Sequence, residues 1–429
     1  MRILFGKIAS KSNGKNIIDR FVNEKNSLRY LKTVEIIDVF DQISNYWISN
    51  KCKVKNIIRG QGMGFIIPWM KKVNINKMIR LNFKNYDCLD EPIYDNDQGS
   101  LIYVRPLGIA VHWIAGNIPI LGVISLFQAL LTKNKSIIKV PYNFQDILPK
   151  ILRDLSKTKF FKKKHRKVID LLLNSTLVVY TDKEDMESQN KLSKNADIRI
   201  VWGGIEAVNS VVNLPKKINC RDIIFGPKVS LAFASKENLR SLKDLKKLSK
   251  LLSDDVFPFN QAGCNSPHNL IIEKGSKFSL TQIAKEISKE FNLKSKNNPL
   301  FSNPIDRYNI LNKKFIYQSK KDLNVFGDKK NEWNIFINSS NTTKVENPIY
   351  CRSIFISKIN NINKLGPILP NNTQSFGLFV TKKRKKEIIK TLSEYGVDRF
   401  PDLGKMSLYQ NPWDGYLPLQ QMVKWISTS

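Results

Sequence analysis

From residue 101 onward, short apolar runs alternate with longer stretches at helical spacing. Ile109–Ala115 is an apolar run of the β type, and Ile118–Leu131 follows with the length and spacing of a helix. Ser136–Val140 is a short β-run closed by Pro141, and a helix is expected over about Asp146–Ser156. Thr176–Tyr180 and Ile198–Trp202 read as further strands, with helices expected after Asp182 and from Gly204 through Val212. Strands alternating with helices predict a parallel sheet covered on both faces, the doubly wound plan that binds nucleotides at strand C-termini. After about residue 226 the order restarts: strand at Val229–Ala234, helix at Asn238–Leu252, a turn at Phe259–His268, strand at Asn269–Glu273 and helix at Thr281–Phe291. Lys294–Asn303 and Asn338–Asn347 are polar and read as loops.

The first hundred residues carry weaker helical periodicity, around Ile17–Val22 and Val34–Tyr46, and end in an acidic, turn-rich patch at Asp87–Gln98. The expected organisation is a lead-in over 1–100, a dinucleotide-binding domain over 101–226, a second α/β domain over 227–400, and a tail over 401–429. From Pro106 to Leu131 no Asp, Glu, Lys or Arg occurs over about 26 residues, long enough to cross a bilayer. His112, Asn117, Pro119 and three glycines break that stretch, so a buried strand, turn and helix account for it better than a membrane span.

The net charge of +33 changes the picture less than its size suggests. Lysines are spread along the whole chain with many Ile and Asn, and no dense basic arm interleaves with aromatics, so a nucleic-acid partner is not expected. The clusters Lys162–Lys167 and Lys382–Lys386 read as solvated helix faces, and the positive field favours polyanionic small molecules. The five cysteines are odd in number and none forms a CxxC pair. Neither a disulfide framework nor a metal site is expected, and a reduced, cytoplasmic setting fits. The N-terminal residues lack the apolar core of a signal peptide.

Four places can carry chemistry, and each has a plainer reading. Cys264, in Phe259-Asn260-Gln261-Ala262-Gly263-Cys264-Asn265-Ser266-Pro267-His268, is either a nucleophile at a cleft mouth, with His268 near enough in sequence to assist, or a small core cysteine. Asn117, in Ala115-Gly116-Asn117-Ile118-Pro119, is either an amide donor to an oxyanion or an ordinary helix N-cap. Lys139 ends a buried strand and either reaches a ribose or phosphate or is a solvated strand end. Gly203 and Gly204 form a strand-to-helix turn that either admits a pyrophosphate or is a common loop pair.

The order of these elements resembles the aldehyde dehydrogenase superfamily. Asn117, Lys139, Gly203, Gly226-Pro227-Lys228 and Phe259-Asn260-Gln261 leading to Cys264 match its series of turn, strand-end lysine, glycine turn, GGK-like link and nucleophile segment. Within it the chain is most similar to the long-chain acyl-CoA reductases of the fatty-acid reductase type known from bacterial bioluminescence. His112 to Pro119, Gln261-x-x-Cys264-x-Ser266, Gly404-Lys405-Met406, Asp414-Gly415 and Trp425 carry that likeness over roughly residues 100–429. The position of the general-base Glu of hydrolytic aldehyde dehydrogenases is Ile224 here, and no counterpart of the Glu that usually holds the nicotinamide ribose is found.

The resemblance implies an aldehyde dehydrogenase-like α/β fold of two doubly wound parallel-sheet domains. It implies reduction of a long-chain acyl-CoA or other acyl thioester to the aldehyde, with Cys264 and Asn117 catalytic, Lys139, Gly203 and Gly204 holding NADPH (or NADH), and an acyl-cysteine intermediate. An acyl-activating ligase or acyl-transfer protein as partner, and a homo-oligomer, are implied by the same likeness. The alternatives are an oxidative NAD-dependent aldehyde dehydrogenase and a non-catalytic protein on the same fold.

Overall fold

The computed structural model describes every residue except 7–13, 61–62, 84–85, 98, 117, 119, 301–303 and 429. The chain divides into two compact units: Met1–Gly226 with Tyr409–Ser429, and Pro227–Leu408.

In chain order, the first unit opens with β1 (Arg2–Phe5), then α1 (Gly14–Asn23), α2 (Thr33–Ile48), α3 (Lys55–Gly60), α4 (Ile66–Trp69) and α5 (Lys72–Phe83). The segment read as a lead-in is therefore mostly helical and supplies a strand of its own. β2 (Ile93–Asp95) and β3 (Ser100–Pro106) follow, so the acidic patch holds a short strand rather than turn alone. The doubly wound part is β4 (Ile109–Trp113), α6 (Ile120–Leu131), β5 (Lys135–Lys139), α7 (Ile147–Lys157), α8 (Lys163–Asn174), β6 (Thr176–Tyr180), α9 (Met186–Asn195), β7 (Ile198–Trp202), α10 (Ile205–Val212) and β8 (Arg221–Phe225). Its sheet has the order β1-β6-β5-β4-β7-β8, parallel throughout except β1, which runs antiparallel to β6.

All five residues of β4 and of β7 are buried. A strand covered on both faces need not alternate apolar with polar, and the two polar side chains that β4 and β7 do bury are partnered: Nδ1 of His112 lies 2.9 Å from Ser125 Oγ and Arg199 pairs with Asp222 at 2.7 Å. One face packs Val111, Ile137, Val179 and Val201 against Ile18 and Phe21 of α1, Leu192 of α9 and Val208 and Val211 of α10. The charge-free stretch over 106–131 is β4 and α6, and among the described residues no helix is long and apolar enough to cross a membrane.

The second unit runs β9 (Val229–Ala234), α11 (Leu242–Val256), β10 (Pro267–Glu273), α12 (Leu280–Asn297), α13 (Pro304–Gln318), β11 (Leu323–Gly327), β12 (Asn334–Asn338), β13 (Ser353–Ile359), β14 (Thr373–Phe379) and α14 (Lys382–Ser393). Its sheet order is β11-β12-β13-β10-β9-β14, parallel except for β11 against β12. Leu245, Leu248 and Leu252 of α11 with Ile283 and Ile287 of α12 cover one face, and Ile388 and Leu392 of α14 the other. Part of the segment 294–303 read as a loop is helix, because α12 continues to Asn297.

The chain then returns to the first unit through α15 (Pro418–Gln421) and β15 (Val423–Thr428), which joins a three-stranded antiparallel sheet, β15-β3-β2. The segment 401–429 is thus shared: residues up to Leu408 belong to the second unit and those from Tyr409 to the first. Two doubly wound parallel-sheet units are the architecture expected from sequence.

Candidate active site

In the first unit the chain winds outward from β4 in both directions: β5 and β6 lie to one side, β7 and β8 to the other. The connections leaving β4 and β7 therefore diverge and open a crevice at the strand C-termini. A cavity of about 660 Å³ lies there, lined by Trp113, Lys139, Trp202, Gly204, Glu206 and Gln189 among others. Lys139 ends β5 half-buried. Burial pushes its ammonium below the usual lysine range, neighbouring Lys183 adds to the shift, and Asp182 opposes it.

Gly204 caps α10, and a Cβ there would meet nothing within 4 Å, so the backbone leaves open space at that point. Gly203 differs: a Cβ would come 2.9 Å from the Ala207 Cβ, so close packing of the turn on α10 accounts for it. Trp202 stacks on Phe225 with centroids 3.8 Å apart, and Trp113 Nε1 donates to Gln189 Oε1 at 3.1 Å, which fixes two walls of the cavity. Apolar walls, an open glycine at a helix N-terminus and a lysine at a strand end suit a dinucleotide. Asn117 lies outside the described residues. Next to it, Gly116 O accepts from Asn143 Nδ2 at 2.6 Å. His112, in β4 below that turn, is fully buried, its Nδ1 2.9 Å from Ser125 Oγ, and burial pushes it down to about 3.

In the second unit Cys264 is half-buried in the turn between α11 and β10. Two left-handed backbone turns brace it. Phe259, Asn260 and Gln261 have φ of 51, 52 and 67°, and Tyr350, Cys351 and Arg352 have φ of 55, 53 and 56°. None of the six is glycine, and such conformations persist in other residues only where surroundings over-determine them. Arg352 supplies much of that constraint. It is fully buried, donates from Nε and Nη2 to Asn260 Oδ1 at 3.1 and 2.6 Å and from Nη1 to Asn298 O at 2.7 Å, and lies 4.6 Å over the Phe257 ring. Gln261 ties the two turns together: Nε2 donates to Pro267 O and Ser353 O at 2.7 and 2.8 Å, and Oε1 accepts from Ser353 N at 2.8 Å.

The cysteine's own backbone is anchored as well. Ser230 Oγ donates to Cys264 O at 2.6 Å. The adjacent Asn265 donates from Nδ2 to Met406 O at 2.9 Å, and Met406 N donates at 2.9 Å to Oδ1 of buried Asp255, whose carboxyl burial raises to about 7. The Gly404-Lys405-Met406 segment is thus a brace for the cysteine loop. Burial first and then nearby Cys264 raise the Tyr350 phenol above its ordinary value. His268 packs edge-on to the Tyr350 ring at 5.1 Å, and burial pushes it down to about 3, so its imidazole is neutral and a weak base near pH 7. None of the five cysteines forms a disulfide.

Ser230, Asp255 and Arg352 were not singled out from sequence. Nothing in their spacing marks them, since each acts through a partner far along the chain. Ile224 lies in β8 and packs on the core of the first unit.

These features define an enzyme fold of the aldehyde dehydrogenase type. Lactaldehyde dehydrogenase from Escherichia coli superposes with a TM-score of 0.64 at 13% identity, over 96% of this chain and 89% of that one. An aldehyde dehydrogenase from Bacillus cereus, solved as its NAD+ complex, superposes with a TM-score of 0.64 at 10% identity, over 96% and 88%. The chain belongs to the acyl-CoA reductase (LuxC) family, whose model matches residues 25–425. Among curated relatives, the long-chain acyl-protein thioester reductase of Aliivibrio fischeri is 26% identical over 379 residues, 84% of this chain and 72% of the relative. That of Photorhabdus luminescens is 24% identical over 439 residues, 98% and 86%. The chain is accordingly an oxidoreductase of the acyl-thioester-reducing class.

Proposed function

We propose that the chain reduces a long-chain acyl thioester, carried on coenzyme A or on a partner protein, to the fatty aldehyde, with Cys264 as acyl carrier and NADPH or NADH as reductant in the cytoplasm. The observation that carries this reading is the bracing of the Cys264 turn by Arg352, Gln261, Ser230 and Asn265 within a unit that accompanies a nucleotide-type crevice. The thiolate of Cys264 forms a bond to the thioester carbonyl carbon, and the bond to the departing thiol breaks. Asn117 and the Cys264 amide donate to the oxyanion, a stabilisation of about 3–4 kcal/mol per donor. A nicotinamide held by Lys139 and the Gly203-Gly204 turn supplies hydride when bound. Collapse of the resulting thiohemiacetal frees the aldehyde and returns the Cys264 thiolate.

With Ile224 where hydrolytic relatives of this fold carry a base, the chain has no side chain there to activate water, so transfer to and from thiols is favoured over hydrolysis. An acyl-activating ligase would supply the thioester, and a homo-oligomer is compatible with the reading. The test is acylation with a labelled long-chain acyl-CoA. The wild-type chain should form a hydroxylamine-sensitive adduct and oxidise NADPH, while Cys264→Ala should form none yet still bind NADPH. Aldehyde formation by Cys264→Ala would refute the assignment.

A further inference from the structure

Helix α13 of the second unit carries apolar side chains on two opposite faces. Ile310 and Tyr317, seven residues apart, are buried, and the Tyr317 ring meets the Phe336 ring at 5.1 Å. On the other side Ile305, Tyr308, Leu311 and Phe315 recur every three or four residues and are 72, 67, 55 and 72% exposed. A surface helix ordinarily turns one apolar stripe inward and its polar face outward, so a second stripe marks a face with something to cover it. Its borders are basic. Helical spacing sets exposed Arg307 along one edge, exposed Lys320 and Lys321 follow the C-terminus, and Asp306 is the helix's single acidic residue.

We propose that this outer face of α13 docks on an anionic phospholipid surface, its aromatic and aliphatic side chains entering the headgroup–acyl boundary while the bordering cations stay at the phosphates. An amphipathic helix with Phe, Leu and Ile on one side and Lys and Arg beside them is built for that plane, because long basic side chains keep their heads wet above a buried stem. A second copy of the chain fits less well, since it would bring two basic-rimmed stripes together on molecules of net charge +33. Negative headgroups satisfy both the stripe and its rim. The inference is independent of the catalytic reading.

The test is flotation of the full chain with phosphatidylglycerol vesicles and with phosphatidylcholine vesicles, beside a Tyr308→Ser/Phe315→Ser double variant whose net charge is unchanged. The wild-type chain should float with phosphatidylglycerol and far less with phosphatidylcholine. The double variant, with the same circular dichroism and elution volume, should bind phosphatidylglycerol at least about tenfold more weakly. Absence of binding to phosphatidylglycerol, or equal binding by both proteins through charge alone, overturns the proposal. So does a smaller solution mass for the variant, which gives the face to a second copy, or stripe-dependent binding of polyglutamate without vesicle binding, which gives it to an acidic protein.

Discussion

Two neighbouring glycines in the strand-to-helix turn after β7 do different jobs. Gly204 has φ of −71° and ψ of 174°, a conformation open to any residue, and no atom within 4 Å of an added Cβ. Nothing in the packing demands a missing side chain there; what its absence does is keep the crevice clear. Gly204→Val should therefore unfold at the same temperature as the wild type while its affinity for the nicotinamide dinucleotide falls about tenfold, equivalent to about 1.4 kcal/mol. Gly203→Val, which would strike Ala207, should instead lower thermal stability. Equal dinucleotide affinity in Gly204→Val and wild type would remove that crevice from the mechanism. In the sequence the two residues read as one Gly-Gly pair, because a pattern of letters records no distances to Ala207 or to open space.

At the scale of elements, the two left-handed turns form a clasp whose centre is Arg352. Arg352→Lys keeps the charge but cannot reproduce the paired bonds to Asn260 together with the bond to Asn298. The expected loss is about 2–3 kcal/mol in the urea unfolding of the second unit. A slower acylation of Cys264 by acyl-CoA should accompany it, because the Asn260 turn leads directly into the cysteine loop. Unchanged unfolding with unchanged acylation would show the clasp to be ornamental. None of this was legible in the residues: left-handed backbone is ordinarily announced by Gly, and Phe259, Gln261, Tyr350, Cys351 and Arg352 announce nothing. The strands were legible where short, mostly apolar runs stand between polar segments, so that Thr176–Tyr180, Ile198–Trp202 and Val229–Ala234 agree with the observed bounds. The region 294–303 misled because its Lys and Asn residues resemble a loop, whereas burial of Phe291 and Ser295 carries α12 on to Asn297. α13 and β11 to β14 escaped notice for a related reason. A strand such as Asn334–Asn338 is bounded by polar residues and depends on its neighbours in the sheet to be a strand at all.

For the molecule as a whole, each unit holds one deeply buried histidine, His112 in the first and His268 in the second, both pushed down to about 3 by burial. In the unfolded chain an imidazole takes its proton near pH 6.5. As pH falls through that value the unfolded state binds protons that the folded units refuse, so stability should drop progressively below about pH 6.5. Asp255 has the opposite sign. Its folded value near 7 exceeds the unfolded one, so its contribution declines as pH rises from the carboxylate range towards 7. Urea midpoints measured from pH 7 down to pH 5 should show the acid loss for the first unit, while in the second Asp255 offsets the His268 loss, and His268→Phe should leave that unit gaining stability as pH falls. An unaltered pH dependence in that variant would mean His268 is protonated within the fold. The histidines are visible in any sequence, but their neutrality follows from burial that only the assembled sheets provide.

The path of the backbone between the units has a consequence for synthesis. The first unit is interrupted at Gly226 and closed only by Tyr409–Ser429, where β15 pairs with β3 and the Arg221 guanidinium donates to the carbonyl oxygens of Gln420, Gln421 and Val423. On a translating ribosome, the inserted unit that bears Cys264 is therefore complete as a stretch of chain before the enclosing one has received its last strand. The nascent first unit must wait with the edge of β3 uncovered while the cysteine-bearing insert can already fold.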